Sequence, residues 1–568
     1  MRKYINLFLM ILCVNLISCE KFLEPRPDGN LSEGDIKSSP GFAEGLLITA
    51  YNNLPGDYDF ATDVASDDAV TNEKGSAYRE MATGNWKASN NPISKWEYCY
   101  EQIYYINKFL EIYKEVRWAN DQELSKEVND LKNDLHLKRL KGEAYGLRAW
   151  YKWQLLQYHA GKATDGSFLG FPIIDEVIQS SDDWELPRNT FAECVANIFA
   201  DLDTAIANLP AEWVDGADAN VNITSGARFQ NRINGNTARA IKSRVALLSA
   251  SPAFSDANAV IWEEAATIAG DLLVELGTLY NKGVTFYNEI SNNEIIWNRS
   301  KVQTRSWEED NFPPSLFGSG RTNPSQDLVN AFPMINGYPI DNPLSEYDSV
   351  NPYLNRDPRF YKYIIYNDAV FKKVPVYTYA GAFQDGINSL ETSTRTGYYL
   401  KKLMAESVIL TPGSPVDAVH TYTFIRMTEV LLNYAEAANE VWGPDGDPNG
   451  YGFTAKSKIA ELRSRAGLTP DDYLASINDQ AGLRELIRNE RRIELCFEGF
   501  RFWDIRRWND QVTMTAPVKG VYITLDADSA YIFNYSNVEE RIFTSDMIYG
   551  PIPYEETLKY NIEQNIGW

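Results

Sequence analysis

Apolar residues recur at helical spacing through most of the chain. In residues 96–116, Ile103, Ile106, Phe109, Leu110 and Tyr113 fall on one face, the period of an amphipathic helix. Residues 131–158 repeat the pattern over a longer run, with Leu140, Ala144, Leu147, Tyr151 and Leu155 in register. Shorter helices are predicted over 197–209 and 237–251, stopped by Pro210 and Pro252, and over 262–276. Proline lacks the N–H that a continuing helix needs. The pattern returns at 423–442, 454–466 and 480–496.

Residues from about 280 to 421 show no regular period and are rich in Gly, Pro, Asn and Tyr. That is too long for a simple loop. It predicts a folded, loop-rich lobe, the kind of surface that carries binding when a rigid scaffold supports it. The helical segments come in pairs with short or moderate connections. They predict a mainly α fold of tetratricopeptide-like hairpins stacked in a superhelix, with the irregular lobe as the ligand-binding part. The tetratricopeptide consensus itself is absent.

The N-terminus follows a different pattern. Arg2 and Lys3 precede LFLMILCV, residues 7–14. This apolar run is shorter than the roughly 20 residues a spanning helix requires, and it matches a secretory signal. Leu16-Ile17-Ser18-Cys19 stands where cleavage is expected and resembles the lipobox of bacterial lipoproteins. That resemblance implies removal of residues 1–18 and acylation of Cys19. Several acyl chains give stable membrane anchoring where one does not. An ordinary signal with a chance cysteine is the alternative.

Composition narrows the partners. The net charge of −24 argues against nucleic acid, whose binding needs clustered Lys and Arg. Beyond Cys13 and Cys19, the cysteines are Cys99, Cys194 and Cys496, with no CxxC. This argues against a thiolate zinc site, and all three are expected to be free and mostly buried. Aromatic residues reach 13%. In an exported, acidic, tethered protein this suggests ligand binding outside the cell, because rings give rigid contact faces at low entropy cost.

Motifs for catalysis are missing. Only His136, His159 and His420 occur, with no HExxH, GxSxG or P-loop. GPDGDPNGYG, residues 443–452, superficially mimics a calcium loop, but Lys456 stands where an EF-hand needs a bidentate glutamate. A turn between two helices is the better reading. Carboxylate pairs of a glycoside hydrolase are defined by distance in space, and 78 acidic residues make their coincidence in sequence uninformative.

The densest cluster is ERRIELCFEGFRFWDIRRW, residues 490–508. A structural role is the preferred reading. Phe497, Phe500, Phe502 and Trp503 would sit in a core. Glu490, Glu494, Glu498 and Asp504 would pair with Arg491, Arg501, Arg506 and Arg507.

That cluster and the lipobox, with a series of further segments in order, resemble the SusD/RagB family of outer-membrane lipoproteins. The segments are CEKFLEPRP, GEAYGLRAWYKWQLLQYHA, GFPII, LPRNTFAECVANIFADLDTAIANLP, NTARAIKSRVALLSASP, DPRF, IRMTEVLLNYAEAANE, LRSRAGL and the terminal NIEQNIGW. The resemblance implies a signal peptide over 1–18, a SusD-like N-terminal region over 19–230 and a RagB/SusD C-terminal region over 231–568. It implies a non-catalytic surface lipoprotein that captures glycan and delivers it to a SusC-like TonB-dependent transporter, with no cofactor. It places the protein on the outer membrane, facing the cell exterior. A RagB-type peptide binder is one alternative; an anchored glycoside hydrolase is another. One departure is that only Glu20 precedes Lys21 after the cysteine, where surface-exported relatives often carry several acids.

A glycan site needs flat rings for sugar C–H faces and planar polar groups for hydroxyls. Two loop-like segments offer both. Residues 66–96 contain Trp86 with Asn90 and Asn91, plus Asp67, Asp68 and Arg79; residues 298–317 contain Trp307 beside Arg305 and Asn311. In the resembled family, ligand-stacking aromatics come from corresponding regions. The alternative is that both tryptophans pin their loops to the scaffold.

Overall fold

The computed structural model describes residues 39–56, 58, 61–289 and 291–568. The signal segment and Cys19 lie outside the described residues. Among the described residues, no helix is long and apolar enough to cross a membrane.

The scaffold is a row of helices, each packed on its neighbours in the chain. It runs α1 (Pro40–Asn52), α2 (Trp96–Ile112), α3 (Lys126–His159), α4 (Phe191–Asn208), α5 (Gly235–Ala250), α6 (Trp262–Leu276), α7 (Met427–Trp442), α8 (Ala455–Ala466) and α9 (Gln480–Leu495). A short α10 (Arg501–Arg507) follows. This is the tetratricopeptide-like stack of hairpins that the periodicity predicts. Two differences from the sequence reading have local causes. Thr190 and Glu193 form a reciprocal capping box, which starts α4 two turns earlier than the apolar pattern suggests. Residues 423–426 (Thr-Phe-Ile-Arg) are a strand rather than the first turn of a helix, in keeping with their β-branched and aromatic content.

Close approach shapes the stack. A Cβ on Gly142 would lie 2.6 Å from Leu209 Cγ, and one on Gly146 would lie 2.7 Å from Ile233 Cδ1. Only glycine lets α3 sit this close to the end of α4 and the start of α5. One apolar core runs through the helices, from Leu47 and Phe109 to Leu431 and Leu486.

Short antiparallel pairs stitch the irregular lobe to the scaffold. Three of these pairs are formed by β1 (Ala69–Thr71), β2 (Ile295–Asn298), β3 (Thr322–Pro324), β4 (Thr423–Arg426), β5 (Val518–Leu525) and β6 (Tyr531–Glu539). β1 pairs with β3, β2 with β4, and β5 with β6. The lobe has its own core around Phe312, Phe332, Phe360, Tyr363 and Tyr399, which Ile493, Cys496 and Phe497 join from the end of α9. The segment 443–452 is a turn between α7 and α8, where Asp447 accepts backbone N–H groups from Tyr451 and Gly452.

Buried ion pairs reinforce this junction. Arg359, with no exposed surface, donates to Asp357, Glu490 and Glu494. Arg463 and Arg465 join Glu490 and Glu494, and Arg426 and Lys402 hold Glu498. The cluster at 490–508 is thus a structural junction, but its partners differ from the local pairing expected. Glu490 and Glu494 on α9, and Glu498 just beyond it, take cations from other segments: Arg359, Lys402 and Arg426, and Arg463 and Arg465 of α8. Asp504 does pair locally, with Arg491 and Arg507. Arg501 reaches Asp67. Arg506 has no carboxylate partner among the described residues; its guanidinium stacks 3.4 Å from the Phe502 ring centre and donates to Phe502 O and Met547 O.

Candidate functional site

A cleft of about 560 Å³ falls within the usual range of roughly 300–1,000 Å³ for ligand sites. It opens where α2, α3 and α5 meet β4, α7 and the α9–α10 turn. Its walls carry aromatic rings that are only half-buried: Tyr98, Trp153, Tyr158, Tyr422, Phe500 and Trp503. Tyr158 and Trp503 lie with ring centres 4.5 Å apart. Trp150 and Trp153 stand 5.0 Å apart on adjoining positions of α3. The Arg244 guanidinium lies over Trp153 and Phe500, at 5.3 and 5.5 Å from their ring centres.

The helices position these groups by simple periodicity. Leu140, Leu147, Tyr151 and Leu155 occupy the core face of α3. Trp150, Trp153, Gln154 and Gln157 recur at helical spacing on the neighbouring face, and that face lines the cleft. Phe500 reaches it from the α9–α10 turn and Trp503 from the first turn of α10. Both were expected in a core; Phe497 and Phe502 are there, while the turn leaves Phe500 and Trp503 half-buried at the cleft.

The cleft carboxylates are neutralised within the protein. Arg244 donates from Nε and Nη2 to the two oxygens of Glu429. Burial would push the Glu498 carboxyl up, but Arg426 and Lys402 override it and hold it below the usual range. Asp504 follows the same logic, with Arg491 and Arg507 outweighing its burial. Among the described residues, no group of His, Cys, Asp and Glu could hold a metal ion.

None of the nine ligand residues predicted from sequence lines this cleft. Trp86 is 2% exposed; it packs against Phe502, Phe543 and Trp568 and donates from Nε1 to Asn91 Oδ1 at 3.0 Å. Asn90 donates to Asn85 O. Asp67 and Asp68 are buried and paired with Arg492, and Asp67 also with Arg501. Arg79 pairs with Glu539. Trp307 is 8% exposed in the lobe core beside Tyr58, and its Nε1 faces Lys402 O at 3.4 Å. Asn311 is buried, donating to Trp307 O and accepting from Thr322 N. Arg305 bonds Glu309 and Asp417 at the surface. These side chains pin the loops, because a ring covered on both sides has no face to offer. The segment 66–96 does reach the cleft, through Tyr78, Ile93 and Lys95.

Comparison with known proteins agrees with this architecture. A family model described as the SusD family matches residues 288–568. A second, described as starch-binding associating with outer membrane, matches residues 21–227. A SusD-like protein of Formosa agariphila designated P38 is 23% identical over 559 residues, covering 92% of this chain and 95% of its own. A crystal structure of a SusD-like protein from Bacteroides fragilis superposes with a TM-score of 0.74 at 23% identity, covering 94% of this chain and 99% of that one. A laminarin-binding SusD-like protein superposes at 0.59 with 19% identity, covering 94% and 100%. With models spanning both ends and a fold shared along nearly the whole length, the chain belongs to the SusD family.

Proposed function

We propose that this protein is a non-catalytic, lipid-anchored outer-membrane receptor that binds extracellular glycan in the α3–α10 cleft and passes it to a SusC-like TonB-dependent transporter. The observation that carries the binding role is the set of half-buried rings around one open cleft. Flat rings suit sugar C–H faces, and the amides of Gln154 and Gln157 suit hydroxyls. The family description as starch-binding and outer-membrane associated supports the same reading, as does the laminarin-binding relative. The ion-paired state of Glu429, Glu498 and Asp504 supports a binder over a glycoside hydrolase, which keeps one acid protonated. The anchor rests on Leu16-Ile17-Ser18-Cys19, and the transporter on the family resemblance.

Titration calorimetry against polysaccharides and peptides tests the core of this reading. Trp503→Ala and Tyr158→Ala are each expected to cost about 1–3 kcal/mol of glycan affinity, by analogy with stacking of other planar ligands, with melting unchanged. Binding of peptides but no glycan replaces the ligand assignment. Cleavage products from a bound glycan would overturn the non-catalytic assignment. Cys19→Ala is expected to abolish outer-membrane fractionation, and gentle detergent extraction of wild type to co-purify a large β-barrel.

A further inference from the structure

The charges around the cleft are unequal in one respect. Arg244 is neutralised by Glu429, Arg426 by Glu294 and Glu498, and Arg491 and Arg507 by Asp504 and Glu436. Lys95 is different. It lines the cleft half-buried, and among the described residues its ammonium makes no ion pair and no hydrogen bond. It lies over the Tyr98 ring, 5.2 Å from the centre.

Its place in the fold makes this more pointed. Lys95 is the N-cap of α2, which has no side-chain cap. The preferred residues there are oxygen acceptors, because a helix N-terminus carries unpaired N–H groups and a partial positive charge. A lysine adds charge of the same sign. Its backbone N–H donates to His159 Nε2 at 3.1 Å, which fixes the residue at the cleft edge. The acid of that first turn, Glu97, is exposed and is not part of the cleft lining. Two further donors are unmatched: Trp150 Nε1 and Gln154 Nε2, on side chains 5% and 6% exposed, have no acceptor among the described residues. On the α2–α3 wall the unmatched groups are these two donors and the Lys95 ammonium, while across the cleft the Thr423 hydroxyl, which can donate or accept, is also unmatched.

We infer that the cleft is built for an anionic saccharide, with Lys95 and the N-terminal end of α2 receiving its carboxylate or sulfate group while the rings hold the sugar faces. The inference rests on the cleft being the glycan site. Uronate and sulfate share the recognising chemistry, so both belong in the test.

The experiment is calorimetry on the full mature protein with oligogalacturonate, carrageenan oligosaccharide, malto-oligosaccharide and laminari-oligosaccharide. Wild type, Lys95→Met, Lys95→Arg and Trp503→Ala are compared at low and high salt. The inference expects an acidic saccharide to bind and the neutral ones not to. Lys95→Met should lose about tenfold in affinity, the scale of one charge-assisted contact, together with most of the salt dependence. Lys95→Arg should keep both. The stronger of the two acidic ligands identifies the anion. A neutral glycan that weakens in Trp503→Ala but not in Lys95→Met overturns the inference and leaves the cleft as the site. Binding indifferent to Trp503→Ala, or no binding by any of the four, overturns the site and the inference together.

Discussion

Arg501 donates from Nε and Nη2 to the two carboxylate oxygens of Asp67, at 2.7 and 2.9 Å, joining segments 434 residues apart. Arg492 approaches the same carboxylate at 2.8 Å. Burial would raise the Asp67 pKa, and the two guanidinium groups reverse this and hold it far below the carboxylate range. Removing one member of a buried pair strands the other charge and costs about 3–5 kcal/mol. Asp67→Ala is therefore expected to lower the denaturation midpoint sharply. Arg305→Ala, which removes only exposed pairs, should leave the midpoint almost unchanged. Chemical denaturation of the two variants checks the contrast; equal losses would contradict the burial argument.

A second prediction concerns acid. His159 is buried and donates from Nδ1 to Pro551 O while its Nε2 accepts from Lys95 N. Burial, reinforced by Arg188, pushes its pKa down to about 4. The fold thus prefers the neutral ring. Its contribution is complete above the unfolded value near 6.5 and is lost as pH falls toward about 4. Glu494 acts in the next window. Burial would raise it, but Arg465, Arg359, Arg426 and Lys402 bring it to about 2. Its contribution is complete above the unfolded value of about 4.3 and drains away as pH falls to about 2. Unfolding free energy measured from pH 7 to 3 should decline in two stages. His159→Asn should flatten the first stage only, and Glu494→Gln the second only.

The thiols give a simple check on packing. Cys99, Cys194 and Cys496 are unpaired and buried. Burial raises all three pKa values, that of Cys194 to about 12. The thiolate is the reactive form. A thiol reagent is expected to leave these three untouched in the native state and to label them in denaturant. Rapid native labelling of any one would show that its helix opens locally.

The helical scaffold was legible because long runs carry a 3.6 period and end at proline; the predicted helix at residues 262–276 coincides with α6. The candidate site was much less legible. Its rings come from separate stretches, with Tyr98 on α2, Trp153 and Tyr158 on α3, Tyr422 beside β4, Phe500 at the α9–α10 turn and Trp503 in the first turn of α10. Sequence shows that a tryptophan sits in an Asn-rich loop but not whether its faces are covered. Trp86 and Trp307 looked available for that reason and are pinned. A signal that the sequence reading passed over was the Trp150, Trp153, Gln154 and Gln157 stripe, which lines the cleft. Aromatic and amide groups there share a helical face that the core pattern leaves over.

The last prediction separates a ring that holds the fold from one that holds ligand. Trp86 fills a small core with Phe502, Phe543 and Trp568, whose ring centres lie 5.9, 6.2 and 4.9 Å away, and the Arg506 guanidinium sits 5.1 Å from its ring centre. Truncating such a residue leaves a cavity, with a typical loss of about 3–5 kcal/mol. It also removes part of the aromatic surround of Arg506, whose burial without a carboxylate already disfavours its charge. Trp86→Ala should therefore melt well below wild type. It should keep wild-type ligand affinity at temperatures where it is folded, because it does not touch the cleft. Trp503→Ala should do the reverse, since the ring is half-buried at the cleft and makes only part of its contacts with the core. Paired melting and titration measurements on the two variants decide the matter. A Trp86→Ala protein that melts normally but has lost its ligand would return the binding site to the loop at residues 66–96.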